Sequence, residues 1–507
     1  MASHREKLMN CLRSSRATRT YAAQWWVPGG LCLLLIFCSA GCTLGPDFVR
    51  PEAPKAEQYT IGPEPDVTIS ADGHAQHFKK GGEVASDWWL FFNSSKLNDV
   101  IKDAVSSNQT LQAAQASLRQ SQNSLRAGYG VFYPQLDAGF DAERQRYSPA
   151  HIGSSAPSSI FNLYTLSATV SYTLDVFGGE RRAVENLGAQ VDFQTYTVFG
   201  TYLTLTGNVV NAIIARAAYR EQIDATEELI RLLREQTEIA EAQYQAGTIP
   251  YLNVVSLRSQ LYANEATIPP LRQRLTQTED LLAILSGRTP AEWTPPEVGL
   301  ADITLPDDLP ISLPSKLVRQ RPDILAAEAQ LHSASANIGV ATAALFPSFT
   351  LNGGYGLDST SMKNLFNASN SVWSFGANLT TPLFHGGTLW FQRQAAIESY
   401  NQFLANYRQI VLGAFAQVAD TLRALEHDAE TLHAQSQALV AAADALQLVQ
   451  ENYQAGLVNY VQVMIADGQY HQAKIAYLQA IAQRLQDTVA LFVALGGGWW
   501  HTDEKIL

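Results

Sequence analysis

Two proline-free runs of nearly equal length constrain this chain more than any other feature. Glu180 to Ala246 holds 67 residues between Gly178-Gly179 and Gly247, and Thr388 to Ala455 holds 68 before Gly456. Read as one helix, each run is about 100 Å long at roughly 1.5 Å per residue, far beyond the usual helix of a globular domain. Each closes on the same four residues, Tyr244-Gln245-Ala246-Gly247 and Tyr453-Gln454-Ala455-Gly456. A chain built on two such rods is made to span a distance.

The rods share a packing register. The lower half of the first carries Tyr219, Ile223, Thr226, Ile230, Leu233, Thr237, Ala240 and Tyr244; the second carries Leu425, Leu432, Leu439, Leu446 and Tyr453. Spacing of this kind predicts coiled-coil packing. Gly188, Gly200 and Gly207 weaken the first rod by about 1 kcal/mol each relative to alanine and leave room for curvature or close packing.

The repeat extends on both sides of the rods. A helix is predicted from Leu97 to about Gly128, from apolar residues recurring at three, four or seven. Asn108-Gln109-Thr110-Leu111 within it corresponds to Arg321-Pro322-Asp323-Ile324, and Tyr133-Pro134 to Phe346-Pro347, both at an offset of 213. After the first turn a helix returns from Tyr251 to Leu285, and Tyr460, Val463 and Gln469 match its Tyr251, Val254 and Gln260. Each half reads helix, strand, strand, long helix, shorter helix.

The strands carry the second signal. Leu136, Ala138, Phe140 and Ala142 alternate with polar residues from Gln135 onward. Tyr164, Leu166, Ala168, Val170, Tyr172, Leu174 and Val176 alternate with Thr, Ser and Asp. In the second half, Phe349, Leu351, Tyr355 and Leu357 form one set, and Trp373, Phe375, Ala377 and Leu379 the other. Period two with one apolar face means a half-buried strand, and about ten such residues also span a bilayer as a tilted strand. One reading is a sheet on a soluble core, but every helix already belongs to a coiled-coil pattern. The other is lipid outside and water inside. Four strands cannot close a barrel, so the barrel is shared between chains, with 8, 12 or 16 strands all permitted.

Composition narrows the class. The chain is 46% hydrophobic and 16% charged, which excludes a disordered chain and an α-helical membrane protein; a net charge of −12 argues against nucleic acid. All four cysteines, Cys11, Cys32, Cys38 and Cys42, fall in the first 42 residues, leaving no disulfide framework. That segment has a basic start, a short apolar core at Leu31–Cys38 and then Ser39-Ala40-Gly41-Cys42. The core is too short to span a bilayer. It reads as a lipoprotein signal cleaved before Cys42, or as an ordinary signal peptide with a chance cysteine; Ser39 departs from the leucine usual in the lipoprotein box.

The domain expectation is a signal peptide at 1–41, a lipidated linker at 42–96, a first repeat at 97–287, a linker at 288–312, a second repeat at 313–496 and a tail at 497–507. The linker from 43 to 86 reads as extended, and Trp88-Trp89-Leu90-Phe91-Phe92 docks the first helix. Catalytic and metal sites are absent from this reading. His427 and His433 are six apart, poor spacing for one metal. Gly353-Gly354-Tyr355-Gly356 lacks the lysine and helix of a phosphate loop and reads as small lumen-side residues. No cofactor is expected.

Several motifs together resemble one family. They are Cys42-Thr43-Leu44-Gly45-Pro46-Asp47-Phe48-Val49-Arg50-Pro51, Arg321-Pro322-Asp323-Ile324-Leu325-Ala326-Ala327-Glu328, Leu345-Phe346-Pro347 and the two Tyr-Gln-Ala-Gly turns. The chain resembles the TolC-type outer-membrane efflux proteins, in their OprM/NodT-like lipoprotein branch. The resemblance implies an α+β membrane protein forming a homotrimer. Twelve transmembrane β-strands are shared in one barrel, and a long α-helical coiled-coil tunnel crosses the periplasm. It implies acyl chains on Cys42, a periplasmic adaptor and an inner-membrane pump as partners, and passive export of small molecules. The adaptor is expected at the tip turns, at Tyr244, Gly247, Thr248, Tyr453, Gly456 and Leu457. The family's constricting acidic position falls on Ile465, so the pore candidates are Asn253, Gln462, Ile465 and Asp467, the last being otherwise a solvated surface acid. The alternatives are a tethered coiled-coil rod without a pore, or the same channel used for protein or polysaccharide export.

Overall fold

The computed structural model describes residues 43–62, 66–148, 153, 155 and 157–501. The signal segment 1–41 and the lipidation candidate Cys42 lie outside the described residues.

Both long runs are single helices: α3, Gly179–Gln245, and α8, Thr388–Gln454. Neither contains a proline to remove an i→i−4 bond. On α3 the seven-residue pattern is a buried stripe, with Ile223, Thr226, Ile230, Leu233, Thr237 and Ala240 all buried. Gly207 supplies a close approach, since a Cβ there would stand 2.8 Å from Val493 Cγ2. On α8 the buried positions stop at Leu432; Leu439 and Leu446 are half-buried and Tyr453 is exposed. The last third of α8 therefore has an apolar stripe with incomplete cover in its own chain.

The helices before and after the rods differ from the sequence expectation in two places. The segment 97–128 is two helices, α1 (Ser95–Ser107) and α2 (Gln109–Gly128). Asn108 between them is extended and caps the second, its Oδ1 accepting from Leu111 N at 2.9 Å. Side-chain capping competes with helix continuation, and here it wins. The second repeat does the same with other residues: α6 (Pro314–Gln320) ends at extended Arg321, and α7 (Pro322–Ala343) begins on a proline. The first return helix is also two, α4 (Tyr251–Glu265) and α5 (Ile268–Leu285). Pro269 and Pro270 cannot donate to the preceding turn, so the helix restarts with proline in its first turn. Its counterpart α9, Tyr460–Ala494, has no proline and runs unbroken.

The linkers hold more structure than the sequence suggested. β1 (His77–Lys80) pairs in parallel with β4 (Asp308–Ile311), joining the 43–86 stretch to the 288–312 stretch. Trp88, Trp89 and Phe92 are buried as expected, with Trp88 stacked on Phe492 at 5.3 Å. Burying side chains of this size contributes about 2–3 kcal/mol each. After α9 the chain turns back, and Trp499 stacks on Phe199 at 4.3 Å while its Nε1 donates to Gln320 O.

The remaining strands form one antiparallel sheet in the order β2 (Gln135–Tyr147), β3 (Ser159–Leu174), β5 (Ser348–Ser359), β6 (Ser371–Thr380). The two hairpins, one from each repeat, meet at β3 and β5.

Candidate functional site

The sheet register aligns the apolar sets of all four strands. Leu136 pairs with Val170, Val170 with Gly353 and Gly353 with Phe375; the next row runs Ala138, Ala168, Tyr355, Trp373. Opposite residues share a face, so one face is apolar across the whole sheet and the other carries Asp137, Thr169, Gly354 and Ser374. The Gly353–Gly356 stretch is thus not on one side: Gly354 and Gly356 lie on the polar face, Gly353 and Tyr355 on the apolar one. The apolar face is uncovered, with Trp373 and Phe375 each 78% exposed. The outer strands β2 and β6 have no partner on their far sides among the described residues.

The start of the described chain is fastened where this sheet meets the rods. Leu44 N donates to Phe177 O at 3.0 Å, directly before Gly178 and α3. Buried Arg182 donates to Leu44 O and to the carboxylates of Asp47 and Glu185. Phe48 stacks on His332 at 4.4 Å, and Arg50 pairs with Glu328 of α7. Residue 43 is therefore held beside the strand-to-helix bend, one peptide from Cys42.

At the opposite ends of α3 and α8 the two turns are built alike. Gly247 and Gly456 have φ of +72° and +75°, which a side chain disfavours. Gly247 N donates to Tyr244 O and Thr248 N to Gln243 O; Gly456 N donates to Tyr453 O and Leu457 N to Asn452 O. These are the paired bonds of a Schellman cap, which satisfies the last carbonyls of a helix. Tyr244 rests on Tyr251 and Tyr453 on Tyr460, with ring centroids 5.1 and 5.4 Å apart. Thr248 and Leu457 are exposed beside the glycines. Met464 of α9 packs with Ala240, Val254 and Leu257 and ties the two hairpins together.

The four pore candidates do not share an environment. Gln462 and Ile465 lie on the exposed face of α9, and Asn253 is half-buried on α4. Asp467 is not a solvated acid: it is buried, with Oδ1 3.8 Å from His471 Nε2. Burial raises its pKa, and burial lowers that of His471. Glu228 and Arg231 of α3 act on both groups. The sequence pattern missed this pair because i,i+4 spacing places two residues on one face without saying whether the face is covered.

Among the described residues no cluster of three or more His, Cys, Asp or Glu side chains is placed to hold a metal. The family model described as "Outer membrane efflux protein" matches residues 100–288 and 313–497. The chain belongs to the outer membrane efflux protein family. It is 30% identical over 448 residues to the pyoverdine export outer membrane protein OpmQ of Pseudomonas aeruginosa, an alignment covering 86% of this chain and 92% of the relative. It is 28% identical over 480 residues to the cation efflux system protein CusC of Escherichia coli, covering 92% and 99%. The solved outer-membrane channel OprN superposes with a TM-score of 0.79 at 25% identity, covering 90% of this chain and all of that one. The protein is an outer-membrane efflux channel component, and the exposed apolar sheet and the helical rods are the two halves such a channel needs.

Proposed function

We propose that three copies of this chain close a twelve-stranded barrel in the outer membrane and continue it as a helical tunnel through the periplasm. The two repeats, 97–287 and 313–496 with the 288–312 linker between them, supply four strands and two rods each time. The observation that carries this reading is the sheet with one continuous apolar face and two open edges. In lipid every unpaired backbone group on β2 and β6 costs several kcal/mol, so the edges must meet neighbouring chains. The half-covered stripe at Leu439 and Leu446 supports the same assembly in the tunnel.

Cys42 is the lipid attachment site, carrying diacylglycerol and an N-acyl chain, and the docked segment from Thr43 holds it at membrane level. The tip turns at Tyr244, Gly247, Thr248, Tyr453, Gly456 and Leu457 receive a periplasmic adaptor, through which an inner-membrane pump delivers cargo. The duct itself is passive. Gln462, Ile465 and Asn253 form its constriction, with Asp467 turned into the seam behind them. The cargo is small molecules such as drugs and xenobiotics, selected by the pump.

Conductance in planar bilayers, with the mass of the assembly measured in parallel, tests the reading. A trimer with long-lived open steps is expected once the tip is unlocked. A correctly assembled oligomer that never conducts would favour a tethered coiled-coil rod.

A further inference from the structure

Arg484 of α9 is 1% exposed, yet among the described residues it has no ion-pair partner. Its Nε donates to Gln76 Oε1 at 3.1 Å, and its Nη2 donates to Thr68 Oγ1 at 3.2 Å and to His74 O at 3.5 Å. All three acceptors are neutral. Its Nη1 has no acceptor. Buried guanidinium groups are ordinarily paired with an anion, because removing the charge from water is costly.

The charged groups around it do not supply that anion. Asp428 of α8 and Asp307 act on Arg484 only through longer-range charge. Burial and then the neighbouring Asp487 push the Asp428 carboxyl up to about 8, so it is largely protonated at neutral pH. Asp487 itself accepts from Gln483 Nε2 at 2.8 Å, and Asp307 is 66% exposed beside His74.

Arg484 also lines a cavity of about 430 Å3 enclosed by residues 71–74, residues 300–305, α3, α8 and α9. Its walls are mostly hydrocarbon, from Leu300, Ile303, Leu305, Leu432, Ile481 and Leu485. The two carboxylates on its lining are already occupied. Asp72 accepts the Tyr477 hydroxyl, and Glu221 accepts the Leu300 amide at 3.0 Å. An apolar chamber of this size with one unsatisfied cationic donor has the make-up of a small-molecule site.

We propose that this cavity binds an amphipathic monocarboxylate, with its carboxylate on Arg484 Nη1 and its hydrocarbon against the leucine and isoleucine walls. The ligand bridges the 71–74 and 300–305 segments to α8 and α9, so occupancy locks these surface segments onto the helices. The site is separate from the tips and the sheet, and it does not depend on how the channel opens.

The test is calorimetric titration of the purified full-length protein in amphipol with 10-bromodecanoate, beside decan-1-ol as the neutral analogue of equal length. One saturable site per chain is expected, with the acid bound at least about tenfold more tightly than the alcohol, as a charge-assisted hydrogen bond requires. Crystals grown with the probe are expected to place its bromine among the wall residues. Ile303→Trp fills the chamber and is expected to remove binding at unchanged thermal midpoint. Arg484→Gln keeps the chamber and is expected to equalise acid and alcohol; if that variant does not fold, Ile303→Trp and the alcohol comparison still decide. Equal affinity for acid and alcohol in the unaltered protein overturns the proposal. So does binding that survives Ile303→Trp, or a site holding only water on Nη1.

Discussion

Gly45 and Gly339 are in backbone contact: a Cβ on Gly45 would stand 2.5 Å from Gly339 Cα. Gly45 also has φ of +93°, so position and conformation both demand glycine. This contact seats the first described residues on α7 and positions the segment that leads to Cys42. Gly45→Ala is expected to undock residues 43–50 at a cost of about 2–3 kcal/mol. Limited proteolysis reads it out, as new cleavage before Arg50 in the variant with none in the parent.

Arg182 holds the same segment by charge. It is buried and donates to Leu44 O, Asp47 and Glu185 at once. Arg182→Met removes those donors and leaves Glu185 with His332 alone. A loss of about 2 kcal/mol is expected from hydrogen bonds to charged groups. The thermal midpoint of the purified protein checks it, and Asp47→Asn, whose carboxylate is exposed, is expected to cost less.

The tip glycines make a paired prediction. Gly456→Val places a β-branched residue at φ +75°, at a cost of about 1–2 kcal/mol, and is expected to disturb the cap and abolish drug resistance in a strain that depends on this channel. Gly413→Ala is the control, because a Cβ at Gly413 meets nothing within 4 Å. It is expected to leave resistance intact and add about 1 kcal/mol of helix stability. Unchanged resistance in Gly456→Val would count against the tip as the docking site.

Asp428 predicts a pH dependence with a definite sign. Its carboxyl titrates near 8 in the folded chain, raised first by burial and then by Asp487, against an ordinary value near 3.8. Between those values the folded state binds the extra proton, so this group makes the fold less stable as pH rises from about 4 to 8. Asp428→Asn cannot ionise. Thermal midpoints at pH 5 and pH 9 are expected to fall for the parent and to differ less for the variant.

Much of the fold was legible in particular residues. The rods followed from missing prolines, the tips from Tyr-Gln-Ala-Gly and the strands from strict alternation, because each is a local rule that tertiary context did not override. The breaks at Asn108 and at Pro269-Pro270 were visible as a capping residue and two residues without donors, yet the apolar period ran through both and masked them. The β1–β4 pairing was not legible. Four-residue strands more than 200 positions apart carry no alternation long enough to read, and only their common docking against α9 brings them together.

The candidate site divides along the same line. Sequence by itself determined the two-fold repeat, the rod lengths, the alternating strands and the glycine turns, since backbone geometry and side-chain period are set by near neighbours. Only the tertiary structure decided that the four apolar strand faces form one exposed surface, that Asp467 is buried against His471, and that Arg484 is sealed in beside a cavity with one donor unsatisfied. Those are matters of what covers what, and cover depends on residues hundreds of positions away.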